Sequence, residues 1–264
     1  MAKARANGIE IHYEIQGRDG APVVLLSNSL GTRLEMWDPQ IRALAGRYRM
    51  LRYDSRGHGR TSTPDGPYSI ELLASDAVAL LDALGIERAH FCGLSMGGMV
   101  GQVLGAEHGD RLLGLTLCAT ACRLGPKELW NERIGAVIEK GMAAVAEGVI
   151  ERWLTKRYRD QAPAEVERVR QMILETPAKG YAACCAAIRD MDLCEMLGRI
   201  RVPTLVVAGE DDPATPPDVV REVHERIPGS RFAIVPHAAH LLSIEQADRF
   251  DRALLEFLDQ QTKQ

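Results

Sequence analysis

A serine framed by glycines, Gly93-Leu94-Ser95-Met96-Gly97, is the residue of this 264-residue chain best suited to covalent chemistry. A short apolar run, Ala89 to Cys92, precedes it, and a helix is expected to follow, to about His108. In a sharp strand-to-helix turn the serine is strained and neighbouring side chains would clash, which accounts for the glycines. The turn lifts the hydroxyl above the sheet and sets the free N–H groups of a helix start beneath the reacting centre. A serine also needs a base and a group to orient that base. Two acids, Asp211 and Asp212, follow an apolar run that ends at Gly209, and two histidines, His237 and His240, follow the last such run. Asp212 is preferred, between Gly209 and Pro216. His240 is preferred, between Ala238-Ala239 and Leu241-Leu242. No acid follows the run ending at Cys118, and His12, His58, His90, His108 and His224 lie away from this edge and are read as structural or surface residues. The developing oxyanion needs two N–H donors. Those of Met96 and of Leu30, the latter in the Asn28–Gly31 loop, are assigned.

The elements that must position these residues follow from hydrophobic periodicity. Val23 to Leu26, Arg49 to Tyr53, Ala89 to Cys92, Leu112 to Cys118, Pro203 to Gly209 and Phe232 to Pro236 read as short buried strands. Ile70, Leu73, Ala77, Leu80, Leu81 and Leu84 recur at helical spacing, with Gly85 at the helix end. Strands alternating with amphipathic helices predict an α/β fold built on a mostly parallel sheet flanked by helices. The alternating run Ile9, Ile11, Tyr13 suits an antiparallel edge. From residue 121 to 201 helical stretches replace strands: Leu129–Ile138, Ala143–Leu154, Glu165–Leu174 and Tyr181–Ile188. The expected organisation is a core of residues 1–120 and 202–264 and a helical cap of residues 121–201. The cap would sit over the carboxyl edge of the sheet, where such folds bind ligands. A final helix, Glu245–Leu258, is expected.

Hydrophobic residues form 46% and charged residues 26% of the chain, with a formal net charge of −4. That balance argues against a nucleic-acid or polybasic membrane surface. No apolar run approaches the length of a membrane helix, and the first residues lack the apolar stretch of an export signal. The six cysteines, Cys92, Cys118, Cys122, Cys184, Cys185 and Cys194, lie mostly in apolar segments and are read as reduced and buried, in a cytoplasmic protein. No metal-ligand spacing is present, so neither a metal nor another cofactor is expected.

Beyond these motifs the chain resembles the 3-oxoadipate enol-lactonases of the α/β-hydrolase superfamily over nearly its whole length. The resemblance rests on Asn28–Gly31, Leu51–Asp54, Arg56–Gly59, Gly66–Ile70, Leu80–Gly98, Gly180–Asp190, Asp212 with Ala214–Pro217, and Ala238–Leu241. The serine turn and the Arg56–Gly59 turn occur in many α/β-hydrolases; the Gly180 segment is the narrow part. The family order of nucleophile, acid and histidine matches Ser95, Asp212 and His240. The resemblance implies a cofactor-free serine hydrolase that opens a small anionic lactone to 3-oxoadipate in aromatic catabolism. Arg33 departs from the pattern, which puts it in doubt as a substrate ligand. Other enzymatic readings are a general carboxylesterase, another small-lactone hydrolase or a C–C hydrolase. A ligand receptor on the same fold is the non-catalytic one. A dehalogenase would carry Asp at position 95.

An anionic substrate entering a protein of net charge −4 needs a local cation. Trp130 and Arg133, three apart on one helix, and Arg189 within the Gly180 segment are the candidates. An indole wall beside a guanidinium suits a flat ring carrying a carboxylate.

Overall fold

The computed structural model describes residues 2–261. Eight strands form one sheet: β1 (Ala2–Ala6), β2 (Ile9–Gly17), β3 (Val23–Ser27), β4 (Arg49–Tyr53), β5 (Ala89–Leu94), β6 (Leu112–Cys118), β7 (Thr204–Gly209) and β8 (Arg231–Val235). The order is β1-β2-β4-β3-β5-β6-β7-β8, with β1 and β2 antiparallel and the other six mutually parallel. The parallel strands β3, β5 and β7 are buried along their whole lengths, as strands covered on both faces must be. The alternating run at Ile9 is antiparallel, but it lies one strand in from the edge. The edge is β1, whose short sequence AKARA carries too little periodicity to be read.

Helix α3 (Met96–Glu107) packs on β5 and β6, with α2 (Ile70–Ala83) against it. The opposite face receives α11 (Ala247–Gln261), with α1 (Asp38–Leu44) packed on α11. The alternation of side chains along β5 divides these contacts. A Cβ at Gly101 of α3 would meet Phe91, whereas one at Gly114 of β6 would meet both His90 and Phe257 of α11.

Between β6 and β7 come only helices among the described residues: α4 (Lys127–Lys140), α5 (Ala143–Trp153), α6 (Lys156–Gln161), α7 (Pro163–Leu174) and α8 (Ala178–Asp190). Helix α6, short and with no buried residue, gave no periodic signal. After β7, α9 (Pro217–Arg226) leads to β8, and the chain ends in α10 (Leu242–Glu245) and α11 rather than in one continuous helix.

One expectation is overturned. Cys122 and Cys194 are joined by a disulfide, whereas Cys92, Cys118, Cys184 and Cys185 are free and buried. The two bonded cysteines are 72 residues apart, so sequence spacing does not pair them. The fold brings the stems of the helical segment together, and the Leu193 N–H donates to the Cys122 carbonyl at 2.8 Å beside the bond. Among the described residues no helix is long and apolar enough to cross a membrane.

Candidate active site

The parallel register brings strand ends to one edge. Ser27 pairs with Gly93, Leu94 with Cys118, and Gly209 with Val235. The loops that leave β3, β5, β7 and β8 there carry Leu30, Ser95, Asp212 and His240.

Ser95 has φ 58° and ψ −113°, a region that a non-glycine residue enters only under constraint. The constraint is visible. The Ser95 N–H donates to the Cys118 carbonyl at 2.8 Å, and its carbonyl accepts from Thr120 Oγ1 at 2.9 Å. A Cβ at Gly93 would lie 2.1 Å from the Gly97 carbonyl oxygen, and one at Gly97 would lie 2.2 Å from that of Ser27. The flanking glycines therefore let the turn and the start of α3 approach the sheet backbone to backbone.

The loop after β3 distributes its N–H groups. That of Ser29 points to the Met36 sulfur at 3.4 Å and that of Gly31 donates to His58 Nε2 at 2.8 Å. The Gly97 N–H donates to the Asn28 carbonyl at 3.0 Å. The Leu30 and Met96 N–H groups have no acceptor among the described residues. They are the two expected donors. Burial lowers the pKa of His58 to about 4, so the ring is neutral and accepts through Nε2 while Nδ1 faces the Arg56 carbonyl at 3.2 Å. The Arg56–Gly59 turn thus holds the loop after β3. The narrow Gly180 segment has a physical reason here too: a Cβ at Gly180 would lie 2.1 Å from the Gly57 carbonyl oxygen.

Asp212 and His240 are buried and bonded, Oδ2 to Nδ1, at 2.8 Å. Asp212 also accepts from the N–H groups of Ala214 (2.7 Å) and Thr215 (3.1 Å) and from Thr215 Oγ1 (2.8 Å). Burial pushes its pKa upward, but His240 and these hydrogen bonds outweigh it and hold the carboxyl below its ordinary value. Of the alternatives, Asp211 is exposed, with its N–H on the Ala238 carbonyl, and His237 is exposed beside Glu210, whose carboxylate accepts from the His237 N–H at 2.9 Å and lies 3.7 Å from Nδ1. Neither meets the Asp212–His240 pair by hydrogen bond. Ser95 and His240 line one cavity, with no hydrogen bond between them; such bonds commonly tighten only when substrate is seated.

The cavity has a volume of about 290 Å³. Trp130 and Arg133 line it, the guanidinium carbon 4.9 Å from the centroid of the indole. Arg189 does not line it. Ile188 faces the cavity, and the next position on α8 turns outward, where Arg189 bonds to Asp190 and Asn131. Arg189 is therefore withdrawn as a candidate ligand. Arg33 is held outside the cavity by Glu35, at 3.2 Å, and by Glu175.

Three residues of the site escaped the sequence. Arg152 and Trp153 close α5 and line the cavity, and Thr215 steadies the Asp212 carboxylate. Trp153 continues the apolar face of Ala146, Val149 and Ile150, so it reads as core. Thr215, three residues after an acid, was the available signal for an acid-capping turn.

Residues 22–247 match the family described as alpha/beta hydrolase fold. The chain is 37% identical to 3-oxoadipate enol-lactonase 2 of Acinetobacter baylyi over 94% of its own length and 93% of that protein. Among solved structures it is similar to the enol-lactonase from Burkholderia xenovorans LB400, with 43% identity and a TM-score of 0.96, covering 98% of this chain and all of that one. It is also similar to a thermophilic esterase from Thermogutta terrifontis, at 31% identity, a TM-score of 0.92 and 98% coverage of both chains.

Proposed function

This chain is an ester-hydrolysing enzyme of the alpha/beta hydrolase fold family, and we propose that its substrate is 3-oxoadipate enol-lactone, opened to 3-oxoadipate in aromatic catabolism. The observation that carries the reading is one small cavity lined by Ser95 and His240 with the Trp130–Arg133 pair beside them. The first two supply acyl-transfer chemistry, and the pair suits a flat ring bearing a carboxylate.

In this mechanism Ser95 Oγ attacks the lactone carbonyl while His240 Nε2 takes its proton. Asp212 keeps Nδ1–H of the ring directed at its own carboxylate and stabilises the imidazolium. The tetrahedral oxyanion forms against the Leu30 and Met96 N–H groups. Collapse breaks the ring C–O bond, and the electron pair leaves on the ring oxygen as an enolate. The proton held by His240 returns to the leaving group, which becomes the ketone. Water, deprotonated by His240, then releases the acyl group from Ser95. The helices between β6 and β7 act as a cap, because α4 and α5 supply Trp130, Arg133, Arg152 and Trp153 to the cavity over the sheet edge.

The test is to offer the purified protein the enol-lactone beside γ-butyrolactone and p-nitrophenyl esters. The anionic lactone should lead in kcat/KM by about tenfold or more, the scale of one charged hydrogen bond. A preference for the neutral esters would favour a general carboxylesterase instead.

A further inference from the structure

The cavity holds two arginines, and the proposed substrate brings one carboxylate. Arg133 on α4 and Arg152 at the end of α5 both line it, half-buried. Neither pairs with a carboxylate among the described residues, whereas Arg33, Arg52, Arg56, Arg168 and Arg170 all do. The two are close enough to repel. Burial, followed by the charge of Arg133, holds Arg152 below its ordinary pKa. The Tyr181 hydroxyl is buried beside both guanidiniums. Two like charges facing one cavity without a counter-ion are unfavourable unless an anion seats between them.

We propose that Arg152 and Arg133 together form a site for a doubly charged group, in which Arg133 takes the carboxylate and Arg152 the negative charge that the reaction creates. The inference rests on the lactonase reading. As the ring C–O bond breaks, its electron pair moves to the ring oxygen, and the enolate then lies on the carbon that bears the carboxymethyl group. Carboxylate and enolate oxygen are separated as the two carboxylates of a malonate are. Two adjacent guanidiniums match such a dianion, and only one is needed by the closed lactone. Arg152 is thus a catalytic residue for departure of the leaving group, and its interaction is worth more in the transition state than in the ground state. The proton from His240 then discharges the enolate as the ketone forms, which weakens the hold of Arg152 on the product.

The experiment uses hydrolysis of a neutral p-nitrophenyl ester as reporter and measures competition by propylmalonate and by pentanoate. In the wild type propylmalonate should compete at least about tenfold better, and Arg152→Gln should bring the two inhibition constants together, since each guanidinium supplies one charged hydrogen-bond site. Arg152→Lys, which keeps the charge, should retain part of the difference. On the enol-lactone, Arg152→Gln should lower kcat more than it raises KM, and Arg133→Gln should do the reverse. Equal competition by the two acids in the wild type, or an unchanged ratio in Arg152→Gln, would overturn the site. If the wild type leaves the enol-lactone intact while propylmalonate still wins, the dianion site stands and the substrate assignment falls.

Discussion

The indole of Trp153 lies against the imidazole of His240, ring centroids 6.0 Å apart and planes inclined by 27°. The contact joins the last residue of α5 to the loop after β8. Further hydrogen bonds repeat the connection: the Leu241 N–H donates to the Trp153 carbonyl at 3.0 Å, and Glu245 accepts from the N–H and Oγ1 of Thr155 and from the Ala239 N–H. The helical segment therefore helps to set the histidine as well as to cover it. Trp153→Phe should keep the ring contact and most activity. Trp153→Ala should lower kcat and, as truncation of a buried aromatic, cost about 3–5 kcal/mol of stability, read by denaturant unfolding.

Ser95→Ala should reduce turnover by about a thousandfold or more, because nucleophile and base act as one unit. Its melting temperature should hardly move, since alanine meets the same backbone constraint. Ser95→Gly should be equally inactive yet more stable by about 1 kcal/mol, through release of the positive-φ strain. An active alanine variant would end the serine-hydrolase reading.

Asp212→Asn and His240→Ala should both be severely impaired, whereas Asp211→Asn and His237→Ala should stay close to wild type. Steady-state kinetics on the four proteins decide it. A dead Asp211 or His237 variant would show that the buried pair has another role.

Arg133→Ala should narrow the preference for the anionic lactone over a neutral ester by roughly 1.5–3 kcal/mol, the scale of a charged hydrogen bond. Arg189→Ala, which breaks only surface bonds to Asp190 and Asn131, should leave that ratio alone. Equal effects of the two substitutions would refute the placement of the substrate carboxylate.

Asp251 gives a pH signature unrelated to catalysis. Burial raises its pKa from 3.8 to about 6, against the hydrogen bond from Gln40 and with help from Asp248. Between those values the folded protein binds a proton that the unfolded chain releases, so the stability from this group is full below about pH 4 and lost as pH rises through 6. Asp251→Asn should therefore be more stable than wild type at pH 7–8, with the gap closing toward pH 4. Thermal melts across that range would show it, and a gap independent of pH would exclude it.

Much of this was legible in the chain because parallel strands announce themselves as short apolar runs. Those runs ended where Ser95, Asp212 and His240 begin their loops. What stayed hidden depends on which side of a helix faces inward. Arg133 and Arg189 look alike in sequence, but one turns into the cavity and the other is taken by Asp190. Arg152 gave no signal, since it sits beside the apolar stripe of α5 rather than on it. The partner of Cys122 was equally unreadable, because only the sheet brings Cys194 to it.

That pairing has a consequence for how the molecule comes apart. Cys122 lies just after β6 and Cys194 before β7, so their bond closes the chain between them into a covalent ring that contains α4 through α8. A protease that cuts once inside this ring severs the backbone and releases nothing. The nicked protein keeps its mass on a gel run without thiol and falls into two pieces only when the sulfur bridge is reduced.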